Sequence, residues 1–293
     1  MIPIYRMAEI HIEITNGCNL ECSNCTRHIG HHRKIFKMDL ETIRKAVLSL
    51  TTPVPPDFPN GFQGTIGIMG GEPTTHPRFA EICKIFQELI PDKHKRQLWT
   101  DGWGWEKYKT VIGRTFDPDN IIYNSHQDKD VGTHQPLLVA AEDAVADKEL
   151  MWRLIGNCWV QWRWSASITP KGAFFCEVAA SLDWLFNGPG GYPVEPGWWV
   201  REPNEFMDQV ERSCAKCGGA VPMQGESAHA DYDLVSPSNL KRLQDAGSPR
   251  IKRGAYKLFD KVFTTEEIRE RIKKGWAPYS HRPYRVDGNL VRF

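Results

Sequence analysis

The sequence predicts an α/β fold of parallel β/α units, and three observations carry that prediction. Apolar and polar residues alternate over residues 7–14 (MAEIHIEI), as in a strand. Strand-like and helix-like runs then alternate through the first 155 residues. The strand ends carry the distinctive loops, which is where parallel β/α architectures place function.

The elements follow in order. After the first strand comes a cysteine-rich loop, and Asp39 can cap a helix through residues 40–50. Pro53, Pro55, Pro56 and Pro59 mark a loop, and TIGIMG (65–70) is a second strand running into Gly70-Gly71-Glu72-Pro73. Phe79, Ile82, Cys83, Phe86 and Leu89 stand at helical spacing. A third strand, RQLWTDG, ends at Gly102 and leads into a short helix over about 105–112. A fourth spans 120–126 and is followed by a helical stretch over about 136–154. Near residue 157 the character changes: Trp159, Trp162, Trp164, Trp184, Trp198 and Trp199 crowd together with Pro and Gly, and four more cysteines appear. Three units are expected, over 1–155, 156–222 and 223–293, the last with a helix over 264–274.

The chain has 293 residues, 41% of them hydrophobic, and a net charge of +1, enough for a large core but with no electrostatic footprint for nucleic acid. The basic runs at Lys93–Arg96 and Arg269–Lys274 read as solvated helix ends or faces. No run of about 18 apolar residues predicts a membrane span, and no export signal is visible. A cytoplasmic location is expected, with the cysteines acting as ligands rather than disulfides.

Residues 17–28, GCNLECSNCTRH, place Cys18, Cys22 and Cys25 within eight positions. Thiolates select zinc and iron–sulfur clusters. A closed zinc site needs a fourth ligand, which His28, His31 or His32 could supply. Three thiolates on a cubane [4Fe–4S] cluster leave one iron open to bind a small molecule.

C-x₃-C-x₂-C after a first strand and GGEP after a second together resemble the radical S-adenosylmethionine superfamily. The resemblance implies an open, partial β/α barrel in which Cys18, Cys22 and Cys25 hold the cluster. The open iron would chelate S-adenosylmethionine, whose reductive cleavage releases a 5′-deoxyadenosyl radical. By the same resemblance, Gly70, Gly71 and Glu72 face the methionyl ammonium, Pro73 stiffens the turn, and Thr100, Asp101 and Gly102 end the third strand beside the cofactor. Asn124 and Ser125 would contact ribose or carboxylate. Asn24 stands where the superfamily usually has an aromatic residue, and its amide could meet the adenine edge instead.

Cys158, Cys176, Cys214 and Cys217 form a second set. Four thiolates suit a closed cluster or a structural zinc. WSASITPKGAFFC resembles an auxiliary-cluster hairpin, and the segment resembles a twitch domain, a one-cluster relative of the SPASM domain. Two [4Fe–4S] clusters are therefore expected, with the tryptophans shielding the second. Cys83 is left over and reads as core.

A fully ligated second cluster suits electron transfer, so the resemblance implies oxidation of a carbinol in a polar small molecule, as in cyclitol and sugar dehydrogenases. An epimerase would need a spare thiol. Peptide-modifying and C–C or C–S bond-forming chemistry stay open, although only about six residues precede the first strand and no leader-binding domain is expected there. From another class, a zinc-binding interaction module also stays open. A one-electron donor such as flavodoxin or ferredoxin is the implied protein partner. His126, Asp128, His134, Gln135, Arg153 and Glu177 are the candidate bases and hydroxyl-binding groups, with none assigned.

Overall fold

The chain folds around a single six-stranded sheet, which the strand termini arrange so that all the motif loops meet at one end. The computed structural model describes residues 1–123, 132–163, 165–276, 284–286 and 289–291. The parallel units are β1 (Glu9–Thr15), α1 (Leu40–Thr51), β2 (Thr65–Gly70), α2 (Phe79–Leu89), β3 (Arg96–Thr100), α3 (Trp105–Thr115) and β4 (Ile121–Tyr123). Asp39 caps α1 by accepting from Thr42 N–H at 2.9 Å, an interaction typically worth about 1 kcal/mol. The expected helix over 136–154 is divided into α4 (Ala141–Ala144) and α5 (Lys148–Gly156), with β5 (Thr133–His134) before them. Asp147 caps α5 through Leu150 N–H, which restarts the helix after a break.

α6 (Trp159–Arg163) leads into a hairpin of β6 (Ser165–Thr169) and β7 (Gly172–Phe174). Strand β6 pairs parallel with β1, so the order is β4-β3-β2-β1-β6-β7 and only β7 runs antiparallel. The hairpin expected in the second unit thus continues the first unit's sheet. α7 (Glu177–Leu185) and α8 (Met207–Ser213) follow it.

The last part of the chain carries β8 (Glu226–Ser227), β9 (Asp233–Val235), α9 (Pro237–Asp245), α10 (Pro249–Lys252), β10 (Tyr256–Leu258) and α11 (Thr265–Lys273). β8 pairs with β5, and β9 with β10.

β1 is central and buried along its whole length, yet its two faces differ in chemistry. Ile10, Ile12 and Ile14 are fully buried in the hydrophobic core. Glu9, His11 and Glu13 are as deeply buried on the opposite face, where a polar interior forms. Trp198 and Trp199 pack on α1, donating to Ser49 Oγ (3.2 Å) and Ser49 O (3.0 Å). Trp184 packs against Phe36 with the two rings tilted by 55°. Of the expected shield, therefore, Trp159 stands by the second cysteine set. Trp198 and Trp199 instead fill core between α1 and the 58–62 loop, where Trp199 meets Phe58 and Phe62 edge-on. Trp164 lies outside the described residues.

Candidate active site and cysteine sites

The cysteine loop begins where β1 ends, directly beside the end of β2. The parallel register runs from Glu9↔Thr65 to Thr15↔Gly70, so the two carboxyl ends are level. Gly71 N–H donates to Thr15 O and Glu72 N–H to Gly17 O, each at 2.8 Å. A Cβ on Gly71 would lie 2.1 Å from Gly17 O, and one on Gly70 2.0 Å from Thr15 O. The paired glycines are what allow the second motif to close against the root of the first.

Glu72 is 1% exposed and its carboxylate is engaged on all sides. Oε1 accepts from Thr74 N–H, Thr74 Oγ1 and Thr100 Oγ1; Oε2 accepts from Thr100 Oγ1 and Asp101 N–H, the last at 2.7 Å. Burial, then the nearby Asp101, pushes Glu72 up to about 7. This carboxylate therefore splices the end of β3 to the end of β2. Pro73 starts the short turn beyond it.

Burial raises the thiol pKa of Cys18, Cys22 and Cys25. Cys18 and Cys22 are raised further by Cys25 and Asp101, so the three thiols and this carboxylate lie within electrostatic reach of one another. Cys18 Sγ accepts Leu20 N–H at 3.4 Å, and Cys25 accepts from Arg27 and Ile29. Such donors favour thiolate ligands. Asn24, by contrast, is turned toward the chain: Nδ2 donates to Ser23 Oγ, and Oδ1 accepts from Leu234 N–H.

The second set is gathered around one cavity. Cys158, Cys176, Cys214 and Cys217 all line this one pocket, otherwise walled mainly by apolar side chains such as Ile155, Phe175, Val178 and Leu182. Cys158 precedes α6 and accepts from Val160 and Gln161. Cys176 precedes α7 and accepts from Ala179, and Cys217 accepts Gly219 N–H at 3.3 Å. Burial raises all four thiols, and Cys214 also feels Cys176, Cys217 and Cys158. Among the described residues no three His, Cys, Asp or Glu side chains close tightly enough to hold a single ion. A cubane spreads its thiolates over different irons, so a shared cavity with backbone donors fits that group. No cysteine is joined in a disulfide, and Cys83 is fully buried in α2.

Between the two sets lies the polar interior. Arg27, two residues after Cys25, pairs with Glu177, the residue after Cys176, and lies 3.7 Å from Glu13. Glu13 accepts from Ser167 Oγ at 2.6 Å. His11 sits 3.3 Å from both Glu177 Oε2 and Gln97 Oε1. Burial opposes charge on His11, but Glu9 and Glu177 hold it above the usual imidazole range. Burial likewise opposes charge on Glu177, and Arg27 with His11 holds it below the usual carboxylate range. A Cβ on Gly67 would lie 2.5 Å from His11 Cδ2, so that glycine makes room for the ring.

Of the candidate bases, Glu177 belongs to this interior. His134 is buried elsewhere, 2.6 Å from Ser23 O through Nδ1, and supports the cysteine loop. Gln135 donates to Gly218 O and Val221 O beside Cys217. Arg153 is exposed on α5, away from the interior. His126, Asp128, Asn124 and Ser125 lie outside the described residues. Glu9, His11, Glu13 and Arg27 had escaped sequence reasoning. Their signal was three polar residues on one face of a strand that must be buried on both.

The C-x₃-C-x₂-C loop at the end of β1 is thus laced to GGEP at the end of the adjacent parallel strand. This is the arrangement that the resemblance to the radical S-adenosylmethionine superfamily implies.

No protein-family model matches the chain. A 7,8-dihydro-6-hydroxymethylpterin dimethyltransferase of Methanocaldococcus jannaschii is 28% identical over 79 residues, 27% of this chain and 14% of that protein. The match thus spans about a seventh of that protein's length. The fold is similar to a crystal structure of BtrN in complex with AdoMet and 2-DOIA, with a TM-score of 0.44 and 12% identity over 72% of this chain and 88% of that one. It is also similar to Streptococcus suis SuiB bound to precursor peptide SuiA, with a TM-score of 0.30 and 12% identity over 88% of this chain and 50% of that one.

Proposed function

We propose that this chain reductively cleaves S-adenosylmethionine and abstracts hydrogen from a polar, hydroxylated small molecule, oxidising a carbinol to a carbonyl. The observation that carries the substrate class is Arg27. It is 3% exposed, and its Nε and Nη1 make no hydrogen bond among the described residues. A buried guanidinium with donors to spare calls for an oxygen-rich ligand.

Cys18, Cys22 and Cys25 would hold the first [4Fe–4S] cluster, and Cys158, Cys176, Cys214 and Cys217 the second. When bound, the first with S-adenosylmethionine supplies the hydrogen-abstracting radical and the second an acceptor for one electron. The residues around them do the positioning. Arg27 donates to substrate oxygens, and the ionised Glu177 accepts from a substrate hydroxyl. Glu72 holds Thr100 and Asp101 at the rim, and the carbonyls of the GGEP turn face the methionyl ammonium. The burial of Cys83, the one cysteine outside both sets, favours oxidation over a route that returns hydrogen from a thiol.

The test is anaerobic reconstitution with iron and sulfide analysis, then a dithionite assay for 5′-deoxyadenosine with and without a panel of cyclitols and sugars. About eight irons per chain and a carbonyl product formed with 5′-deoxyadenosine are expected. About four irons with one zinc would remove the electron acceptor and with it the oxidation, and no cleavage would overturn the reading entirely.

A further inference from the structure

The outer side of the three-cysteine loop carries a groove that the chemistry above leaves unused. It holds about 950 Å³ of open space and is lined by His32, Arg33 and Lys34 on one side and by Trp184, Asn187 and Ala246 across from them. Two of its walls follow the candidate ligands directly: residues 31–34 come after Cys25, and 184–187 lie at the end of the helix that Cys176 precedes. His28 Nδ1 meets Ser181 Oγ at 2.7 Å, joining the loop to α7, and His32 Nε2 donates to Arg27 O at 2.7 Å.

The charge on this face is one-sided. Arg33, Lys34 and Lys252 make no ion pair among the described residues, and a Cβ on Gly247 would lie within 3.7 Å of both Arg33 and Lys252. The nearest carboxylates are already matched: Asp183 with Lys171 (2.6 Å), Asp245 with Lys241 (3.0 Å), and Glu21 with Arg253. The whole chain carries only +1, so this concentration is local. Ile35, the residue after Lys34, is 64% exposed.

We infer that this groove is the docking surface for an acidic one-electron donor protein. The inference rests on the function proposed above. Long, exposed, unpaired cations steer and seat a protein of opposite charge. A small anion would instead need unengaged buried polar groups aimed at it, whereas His31 and Lys171 in this lining are already bonded to Asp233, Ser248 and Asp183. One electron passes from the reduced flavin or iron–sulfur centre of the donor to the enzyme, and no atom is exchanged.

The test measures binding of an oxidised acidic flavodoxin to the reconstituted holoenzyme by interferometry, from about 50 to about 300 mM salt. It then compares 5′-deoxyadenosine formation driven by reduced flavodoxin with that driven by dithionite, which needs no docking surface. The R33E/K34E/K252E variant is expected to lose at least about tenfold in binding and in flavodoxin-driven rate at low salt, with the dithionite-driven rate kept. Lys252→Glu alone, outside the cysteine loop, should lose part of both. Wild-type affinity should fall steeply with salt and that of the triple variant should not. Unchanged flavodoxin binding in the triple variant would overturn the inference. So would a parallel loss of the dithionite-driven rate, which would make the groove part of the loop's fold. No dithionite-driven cleavage by wild type would overturn the proposed function, and the docking site with it.

Discussion

His31 Nε2 lies 2.7 Å from Asp233 Oδ2, tying the three-cysteine loop to a strand 202 residues further along the chain. The same carboxylate accepts Asn24 N–H at 2.5 Å through Oδ1 and pairs with Arg250 Nε at 2.8 Å. His31 Nδ1 in turn meets Ser248 Oγ, and Arg250 Nη1 donates to Glu21 O. The last part of the chain is therefore a strap over the first cysteine site. Asp233→Ala would leave Arg250 buried without its partner, so a loss of roughly 3–5 kcal/mol is expected. Thermal melting of the apo and reconstituted protein checks this, with lower iron retention as the companion readout.

Gly71→Ala should destabilise by at least about 2 kcal/mol, because the new Cβ meets backbone that cannot move aside. Gly113→Ala is the control. Nothing lies within 4 Å of that position on α3, and removing a helical glycine should stabilise by about 0.5–1 kcal/mol. Urea unfolding of the two variants measures both.

Cys22→Ala should abolish formation of 5′-deoxyadenosine, whereas Cys217→Ala should keep some of it and lose oxidised product. Each variant should also lose about half of the bound iron. Full product yield from Cys217→Ala would remove the second set from the reaction.

Arg27→Met would strand Glu177 and Glu13 in the interior, at a cost of roughly 3–5 kcal/mol, while Arg27→Lys should restore part of that stability. If Arg27 also binds substrate oxygens, Arg27→Lys should raise KM for the substrate at near-normal stability. Melting curves and steady-state kinetics on the same preparations separate the two roles.

Burial, eased only in part by its bond to Arg27 O, depresses His32 to about 4. A depressed folded pKa means that the neutral ring's contribution is fully present above the unfolded value near 6.5. It is lost as pH falls toward 4, by about 1.4 kcal/mol per pH unit for this one proton. Stability measured from pH 8 to 4 should therefore decline less steeply in His32→Gln than in wild type.

Much of this was legible in one dimension. Alternation in MAEIHIEI, helical spacing in 79–89 and the Asp39 cap depend on residues close in sequence, so local pattern located β1, α2 and α1. The spacing of Cys18, Cys22 and Cys25, and of Cys214 and Cys217, pointed to two candidate ligand sets, because ligand geometry constrains short loops directly. The role of Glu72 was less transparent: the motif suggests a ligand for the cofactor, but its five hydrogen bonds arise from Thr74, Thr100 and Asp101, the last two at the end of another strand.

The chain's own pattern was thus enough to read its fold class, its β/α order and its seven ligand candidates, since each rests on the period of a strand or helix or on the reach of a thiolate. The third dimension was needed to set Arg27 against Glu177, Asp233 against His31, and the β6–β7 hairpin against β1. Those pairings join residues 150 to 200 positions apart, and their strength comes from burial, which depends on how the whole sheet folds and on nothing written near either residue.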